Sequence, residues 1–192
     1  TNPKEIIELS QRILEEASRM NRLVQDMLSL SQFESNTILK QETVLDVEKL
    51  ILDVIIKLRP IATKKSIAID THLESISLTA DYEHIIQLVR NLIDNAIQYG
   101  IQGGYVIVNL FKTSEAIVFE VVDNGIGIPK EDQNRVFERF YRVDKARSKQ
   151  TGGTGLGLAI VKHICALYHA EIHLISELNE GTKITISFPI IN

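Results

Sequence analysis

The sequence of 192 residues predicts an α+β fold, a two-layer sandwich of a mixed sheet with helices on one face, preceded by one long helix. Three observations support this prediction. Apolar residues recur every seven positions near the start of the chain, as in a long helix. Apolar and polar residues alternate in two later segments, 117–122 and 183–188, as in half-buried strands. After the long helix, the patterns run in the order helix, strands, helix, hairpin, loop, helix, hairpin.

The first helix is predicted from Pro3 to about Phe33 by its heptad spacing. Ala17 and Val24 widen the apolar stripe beyond a two-stranded seam, toward a bundle, and a surface helix lying on the rest of the domain is the alternative. The polar residues that follow read as a short linker, so we place a boundary between 1–36 and 37–192. The two apolar tracks of the helix are Ile6, Ile13, Met20 and Met27, and Leu9, Leu23 and Leu30.

The elements after the linker are predicted from caps and apolar spacing. Asp46 is positioned to cap a helix that ends near Lys64. Short strands should follow at Ser66–His72 and Ser75–Thr79. Asp81 is positioned to cap the next helix, which contains the stretch NLIDNAIQYG.

Composition narrows the classes of protein. The chain is 44% hydrophobic and 24% charged, which indicates a globular domain. A net charge of -4 and a pI near 5.8 argue against a general role in binding nucleic acid. The only cysteine, Cys165, lies in an apolar helical pattern and should fill core in a reducing compartment. We expect a cytoplasmic fragment cut from a longer protein, since the chain starts at Thr1 and lacks an apolar run of roughly 20 residues.

The helix after Asp81 has a stripe of polar side chains beside its apolar face. His84, Gln87, Asn91, Asn95 and Gln98 follow one another at spacings of three or four, which places them on one side of a helix. Exposure to solvent is enough to explain an isolated N-x-x-x-N pattern. The interpretation therefore depends on the rest of the chain.

Two glycine-containing segments add to this pattern. Asp123, Gly125 and Gly127 follow an alternating strand, where glycines allow positive φ and close approach of a ligand, and a carboxylate can accept a hydrogen bond from an amine. Such a segment is a simple turn as often as a site. The second segment, TGGTGLGL at 151–158, opens a helix and so presents free N–H groups suited to phosphates. It matches neither a Walker loop nor a dinucleotide fingerprint.

Taken in this order, the motifs resemble the catalytic core of sensor histidine kinases over nearly the whole chain. NLIDNAIQY resembles the N box, DNGIGI the first glycine box, FERFYR at 137–142 the phenylalanine box and GGTGLGL the second glycine box. Residues 180–182 resemble the closing turn of that domain. The leading segment is similar to the second helix of the family's dimerization hairpin, so 1–36 would be that helix with its linker and 37–192 the ATP-binding domain.

The resemblance implies ATP and Mg²⁺ as ligands. It assigns the adenine amine to Asp123, and Mg²⁺ to the amide oxygen of Asn95, with Asn91 as a possible second ligand. Tyr99 lies beside the base or packs in the core. The catalytic residues implied are Asn91, Asn95 and Arg142. The full set implied for ATP is Asn95, Gln98, Tyr99, Asp123, Gly125, Gly127, Arg142, Gly152, Gly153, Thr154, Gly155, Leu156 and Gly157.

The resemblance also implies a mobile lid and contacts that dock it. The basic segment 142–153 would be a lid over the triphosphate, with Arg142 as a partner of the γ-phosphate, although a solvated loop is the simpler explanation for Lys145, Arg147 and Lys149. Phe137 and Phe140 are either core residues or, as the family suggests, the contacts that dock the lid region against the dimerization helices.

The position of Asn91 favours phosphoryl transfer over hydrolysis. In superfamily members such as DNA gyrase, mismatch-repair proteins and a heat-shock chaperone, a glutamate there activates water, whereas an amide cannot take a proton at neutral pH. The resemblance implies a histidine acceptor on dimerization helices, a response-regulator aspartate after it, and a homodimeric parent that is a membrane-anchored sensor. No histidine here is followed by an acidic residue and proline, so this chain alone should not phosphorylate itself.

A second departure from the family is Gln98, where a lysine usually points at the phosphates; its absence should weaken binding or leave the task to Arg142 and the lid. Three functions therefore stay open. The first is the ATP-binding core of a protein-histidine kinase. The second is a nucleotide-binding pseudokinase or interaction module, and the third is a superfamily ATPase or serine kinase.

Overall fold

A computed structural model describes residues 3–34, 41–143 and 153–190. The described part contains four helices and seven strands, and residues 124–143 form successive turns between them. The elements in chain order are α1 (Pro3–Glu34), β1 (Glu42–Asp46), α2 (Val47–Lys64), β2 (Ala68–Leu73), β3 (Ser77–Asp81), α3 (Tyr82–Tyr99), β4 (Tyr105–Lys112), β5 (Ala116–Asp123), α4 (Gly157–Leu167), β6 (Glu171–Glu177) and β7 (Gly181–Pro189).

The main sheet has the strand order β2-β4-β5-β7-β6, and β1 pairs with β3 in a separate two-stranded sheet. Strand β2 runs parallel to β4 and the other neighbours are antiparallel, so the sheet is mixed as predicted. One face buries apolar side chains such as Val108, Phe119 and Ile186 in a common core with α2, α3 and α4. The opposite face is polar, since Glu120 accepts hydrogen bonds there from Asn109 at 2.9 Å and Thr185 at 3.1 Å. The predicted α+β sandwich is confirmed.

Side-chain caps start two of the helices at the predicted residues. The Asp46 carboxylate accepts a hydrogen bond from the backbone N–H of Lys49 at 3.0 Å, and α2 ends at Lys64. The Asp81 carboxylate accepts one from Glu83 at 2.9 Å and begins α3. Both cap predictions are confirmed, because a cap depends on residues within one turn of it.

The strands near the amino end of the domain differ from the prediction. Strand β1 was not foreseen, and β3 lies at Ser77–Asp81, two residues later than the predicted Ser75–Thr79. The physical reason is pairing, because β1 sets the register of β3 by placing Val44 opposite Thr79. A five-residue strand with one buried side chain has too little alternation to be recognised alone.

Helix α1 lies on the domain surface by one of its two apolar tracks. In one heptad track Met20 is 61% exposed and Met27 50% exposed. In the other track Leu23 packs against the domain core and Leu30 is buried. The carboxyl-terminal half of α1 therefore lies on the domain, while the first track faces outward.

Candidate functional site

A cavity of about 690 Å³ lies between the second half of α3, the end of β5 and the loop before α4. Most of the residues predicted to bind a ligand line it. From α3 and β5 these are Asn91, Asn95, Gln98, Tyr99 and Asp123, and from the loops they are Gly127, Arg142, Gly153, Thr154, Gly155 and Gly157.

The polar stripe of α3 divides into two parts with different surroundings. Only its second part, Asn91, Asn95 and Gln98, faces the cavity. His84 is buried, with its Nδ1 2.9 Å from the Tyr168 hydroxyl, and Gln87 donates to the Ser29 hydroxyl of α1 at 3.1 Å. His84 and Gln87 therefore share the spacing of the stripe but do not face the cavity. Packing of α4 and α1 on the first half of α3 gives those two side chains partners inside the protein.

Asn91 lies where α3 meets the start of α4. Its amide oxygen is 3.4 Å from the position that a Cβ on Gly157 would take. Its side-chain nitrogen is buried and has no hydrogen-bond acceptor among the described residues. No side chain caps helix α4 at Leu156, so the first backbone N–H groups of this helix have no capping side chain as an acceptor. These donors make the corner suited to an anion.

Asp123 ends β5 at the wall of the cavity. Its Oδ1 accepts a hydrogen bond from the backbone N–H of Gly125 at 2.8 Å. Burial raises the pKa of this carboxyl from its usual 3.8 to about 6, and backbone hydrogen bonds from Gly125 and Thr182 oppose the rise. The carboxylate is thus positioned as a hydrogen-bond acceptor in a largely desolvated place.

The glycines after Asp123 are required by close packing against the protein's own backbone. A Cβ on Gly125 would lie 2.4 Å from the carbonyl oxygen of Tyr99. Gly127 has φ of +65°, and a Cβ there would lie 1.9 Å from the carbonyl oxygen of Glu177. Positive φ was predicted for this turn, and Gly127 confirms it. Gly127 lines the cavity and Gly125 does not, and the protein's own backbone occupies the space beside both residues.

The loop before α4 is more open. A Cβ on Gly153 would lie 3.5 Å from both the Arg142 guanidinium and the Gln98 amide, so these three residues meet at one place in the cavity. The Thr154 hydroxyl donates to Asp26 of α1 at 2.8 Å. The side chain of Leu156 is fully buried, which leaves only its backbone for a ligand. Gly152 and lid residues 144–152 lie outside the described residues.

The two aromatic residues before the loop have different environments. Phe137 is half-buried, whereas Phe140 is 56% exposed and has φ of +61°. The backbone N–H of Phe140 donates to the carbonyl of Gly155 at 2.9 Å, which joins this segment to the glycine loop. Neither phenylalanine lines the cavity.

Several cavity residues were not found from the sequence. Lys65, at the end of α2, donates from its ammonium to main-chain carbonyls at the end of α3. Arg22 and Asp26 of α1 line the same cavity, as do Arg90 and Asp94 of α3. Burial is the main cause that raises the pKa of both Asp26 and Asp94. Lys65, Arg22 and Asp26 have no local motif, because they reach the site from other elements, whereas Arg90 and Asp94 lie on α3 within one turn of its predicted site residues.

Comparison with known proteins gives one consistent family. Residues 80–192 match the family model described as "Histidine kinase-, DNA gyrase B-, and HSP90-like ATPase". The sensor-like histidine kinase SenX3 of Mycolicibacterium smegmatis is 35% identical over 189 residues, which is 98% of this chain and 49% of SenX3. The sensor histidine kinase WalK of Bacillus subtilis is 36% identical over 91% of this chain and 29% of its own length. The chain therefore spans about half or less of these relatives.

Solved structures agree with the sequence relatives. The Acinetobacter baumannii histidine kinase AdeS shares the fold with a TM-score of 0.81 at 24% identity, over 100% of this chain and 88% of that one. Full-length ShkA in complex with AMPPNP has a TM-score of 0.79 at 26% identity, over 96% of this chain and 39% of that one. In the ranges 3–34, 41–143 and 153–190, no helix has the length and apolar character needed to cross a membrane.

Proposed function

Because the chain belongs to the family of histidine kinase-, DNA gyrase B- and HSP90-like ATPases, as an ATP-binding domain of the sensor histidine kinase type, we propose that it donates the γ-phosphoryl group of ATP to a histidine on dimerization helices. The observation that supports this most is the shared cavity. Asp123, the amides of α3 and the glycine loop before α4 border one space of about 690 Å³. That volume lies in the range of small-molecule sites, and its opposite ends suit a base and phosphates.

At the base end, Asp123 accepts a hydrogen bond from the exocyclic amine of adenine. Its burial supports this role, because a hydrogen bond to a carboxylate is stronger where water is excluded. Gly125 and Gly127 hold the turn that fixes the carboxylate, and Tyr99 lines the wall beside it.

At the phosphate end, the loop 153–157 presents its backbone N–H groups and Arg142 and Gln98 lie next to Gly153. The buried nitrogen of Asn91, without an acceptor in the part of the chain that the structure describes, fits a phosphate oxygen.

The donors also fit Mg²⁺, which prefers oxygen ligands and keeps phosphate and water around it. Asn95 supplies an amide oxygen, with Asn91 beside it, and the described residues contain no cluster of three His, Cys, Asp or Glu side chains that would form a complete protein site. A bound Mg²⁺ would neutralise the charge on the phosphate oxygens during transfer.

Asn91 disfavours hydrolysis of ATP. An amide does not act as a general base at neutral pH, so this position cannot activate water as a glutamate would. The histidines of the chain do not supply the acceptor. Among them, His84 is buried against Tyr168, and His163 lies 3.1 Å from the Arg139 guanidinium. We therefore place the acceptor histidine on a helix outside this chain.

The partners follow from this role. We propose that residues 1–36 are the second dimerization helix with its linker and 37–192 the ATP-binding domain, and that Phe137 and Phe140 dock the lid region on the dimerization helices. The exposure of Phe140 supports a docking role over a core role. The whole protein would be a homodimeric, membrane-anchored sensor with this part in the cytoplasm, and a response-regulator aspartate would receive the phosphoryl group.

The first test is calorimetric titration of the chain with ATP, with and without Mg²⁺. We expect binding that depends on Mg²⁺ and is lost in a folded Asp123→Asn variant. The matched control is Asp53→Asn, which removes an exposed carboxylate from α2 and should bind like the parent. Failure of the folded parent to bind would refute the assignment and favour an interaction module.

The second test separates a kinase from a nucleotide-binding module. Separately expressed dimerization helices that contain the acceptor histidine are added with labelled ATP. We expect label on those helices and none on this chain. Label on a histidine of this chain, or steady release of phosphate without transfer, would contradict the proposal.

A further inference from the structure

The cavity has an unassigned basic residue at the end where the base would bind. Lys65 follows the last residue of α2, and its ammonium reaches across to α3. It donates hydrogen bonds to the carbonyl oxygens of Ile97 at 3.1 Å, of Gln98, and of Gly100 at 3.4 Å. We propose that Lys65 is a positioning residue that fixes the last turn of α3 and, through it, the base end of the nucleotide site. This inference rests on the proposed ATP-binding function.

The end of α3 needs a cation from elsewhere. The last carbonyls of a helix have no partner within it, and they form the negative end of the helix dipole. The last turn of α3 contains no basic residue, and Gly100 has φ of -61° and ψ of 150°, so it does not form the left-handed cap that often satisfies these carbonyls. An ammonium has three donors and no acceptor, which matches three carbonyl oxygens. Lys65 therefore replaces a local cap.

A chain of short contacts connects this turn to Asp123. The carbonyl oxygen of Tyr99 accepts a hydrogen bond from the backbone N–H of Ile126 at 3.1 Å. The same oxygen is the atom that leaves no room for a Cβ on Gly125. Gly125 in turn donates its backbone N–H to Asp123 at 2.8 Å. The last turn of α3 thus determines where the carboxylate lies.

A direct contact of Lys65 with phosphate is the competing role, since Gln98 stands where the family usually has a lysine. The donors of Lys65 point instead at main-chain carbonyls, on the side of α3 that meets the turn after Asp123. Burial lowers the pKa of this ammonium, which indicates a group held within the structure. A positioning role and a phosphate contact predict different losses for ligands with and without phosphates.

The test compares Lys65→Met with Lys64→Met, which removes the exposed neighbouring lysine and serves as the matched control. Affinities for ATP and for adenosine are measured by displacement of a fluorescent ATP analogue, beside thermal unfolding of each variant. We expect Lys65→Met to weaken both ligands by a similar factor of about ten, because loss of a charged hydrogen-bond partner loosens the base end. Lys65→Arg should recover most of the affinity, and Lys64→Met should bind like the parent.

Hydrogen exchange supplies a readout that does not depend on nucleotide. In Lys65→Met the amides of 97–101 and 125–127 should exchange faster than in Lys64→Met, with little change elsewhere. If Lys65→Met does not fold, Lys65→Gln, which keeps one donor group, takes its place. We then expect a smaller loss of affinity for both ATP and adenosine.

Three results would overturn the inference. Equal affinities of folded Lys65→Met and Lys64→Met would show that the turn does not need the ammonium. A loss confined to ATP, with adenosine unchanged, would make Lys65 a phosphate contact. Absence of ATP binding in both the parent and Lys64→Met would refute the proposed function itself. That result differs from a failure of the inference about Lys65 alone, in which the parent and Lys64→Met still bind ATP.

Discussion

The two glycine motifs that border the cavity differ in what lies beside their glycines. In the first, a Cβ on Gly125 or Gly127 would overlap the backbone of Tyr99 or Glu177. In the second, a Cβ on Gly153 or Gly157 would meet only side chains, at 3.5 Å and 3.4 Å, whereas Gly155 has φ of +73° and a Cβ there would lie 3.1 Å from the backbone of Phe140. The first motif is therefore a rigid joint between α3 and the hairpin of β6 and β7, while the second leaves space beside polar side chains at Gly153 and Gly157.

The two motifs therefore differ in whether their glycines serve packing within the protein or leave room beside the cavity. The glycines of the first motif allow the packing that places Asp123. The second borders the cavity with its own backbone, beside Gln98, Arg142 and Asn91. Substitutions in the first should lower stability, and substitutions at Gly153 and Gly157 in the second should change nucleotide binding.

Gly127→Ala should give the largest effect on stability. The new Cβ would overlap the Glu177 carbonyl oxygen at 1.9 Å and would sit at a φ of +65°. Left-handed strain and overpacking together should lower the free energy of unfolding by about 2–5 kcal/mol. Urea denaturation measures it. A variant as stable as the parent would show that the turn is not rigid.

Asp123→Asn should reduce ATP affinity by at least about tenfold while leaving the fold intact, because a charged acceptor is replaced by an amide. The same substitution should raise the free energy of unfolding of the ligand-free chain, although it lowers the affinity for ATP. The folded pKa lies above the unfolded value, so ionisation destabilises the folded chain progressively between about pH 4 and pH 6 and fully above that. Near neutral pH the ligand-free variant should therefore be more stable than the parent, by about 2 kcal/mol.

The pH dependence checks this assignment. In the parent, stability attributable to Asp123 should fall as the pH rises through about 6, while ATP affinity rises because the ionised carboxylate accepts from the amine. Both changes should be missing in Asp123→Asn and present in Asp53→Asn. Urea titrations and calorimetry across that range measure them, and a flat profile in the parent would contradict the role given to Asp123.

Sequence reasoning succeeded where the cause is local. The caps at Asp46 and Asp81 and the alternation around Phe119 depend on neighbouring residues, and the structure has them as predicted. It failed where two distant segments decide. The stripe on α3 has one periodicity, yet packing of α4 turns His84 into a buried partner of Tyr168. No pattern in the sequence distinguishes the two halves of that helix.

The site shows the same limit. Asn95 and the glycine loop are recognisable because their motif lies within a few residues. Lys65 reaches α3 over more than thirty residues of chain, and Asp26 reaches Thr154 over 128. Side chains that arrive from another element have no fixed spacing from the motif they support, so only the fold identifies them.

Gln98→Lys tests whether phosphates bind beside the second motif. A lysine beside Gly153 and Arg142 would add a positive charge at the phosphate end, so ATP should bind about threefold to tenfold more tightly. Adenosine affinity should stay unchanged, since the base end is not altered. Calorimetry with both ligands measures this. An unchanged ATP affinity would place the phosphates away from Gln98.

Gly153→Ala should have the smallest effect on stability and is the matched counterpart of Gly127→Ala. Its Cβ would lie at ordinary van der Waals distance from Arg142 and Gln98, so the free energy of unfolding should change by less than about 0.5 kcal/mol. The methyl group would enter the space assigned to phosphate and should weaken ATP by about threefold without affecting adenosine. A loss of stability as large as that of Gly127→Ala would mean that both motifs are structural joints, because the difference between them would then not lie in the space beside their glycines.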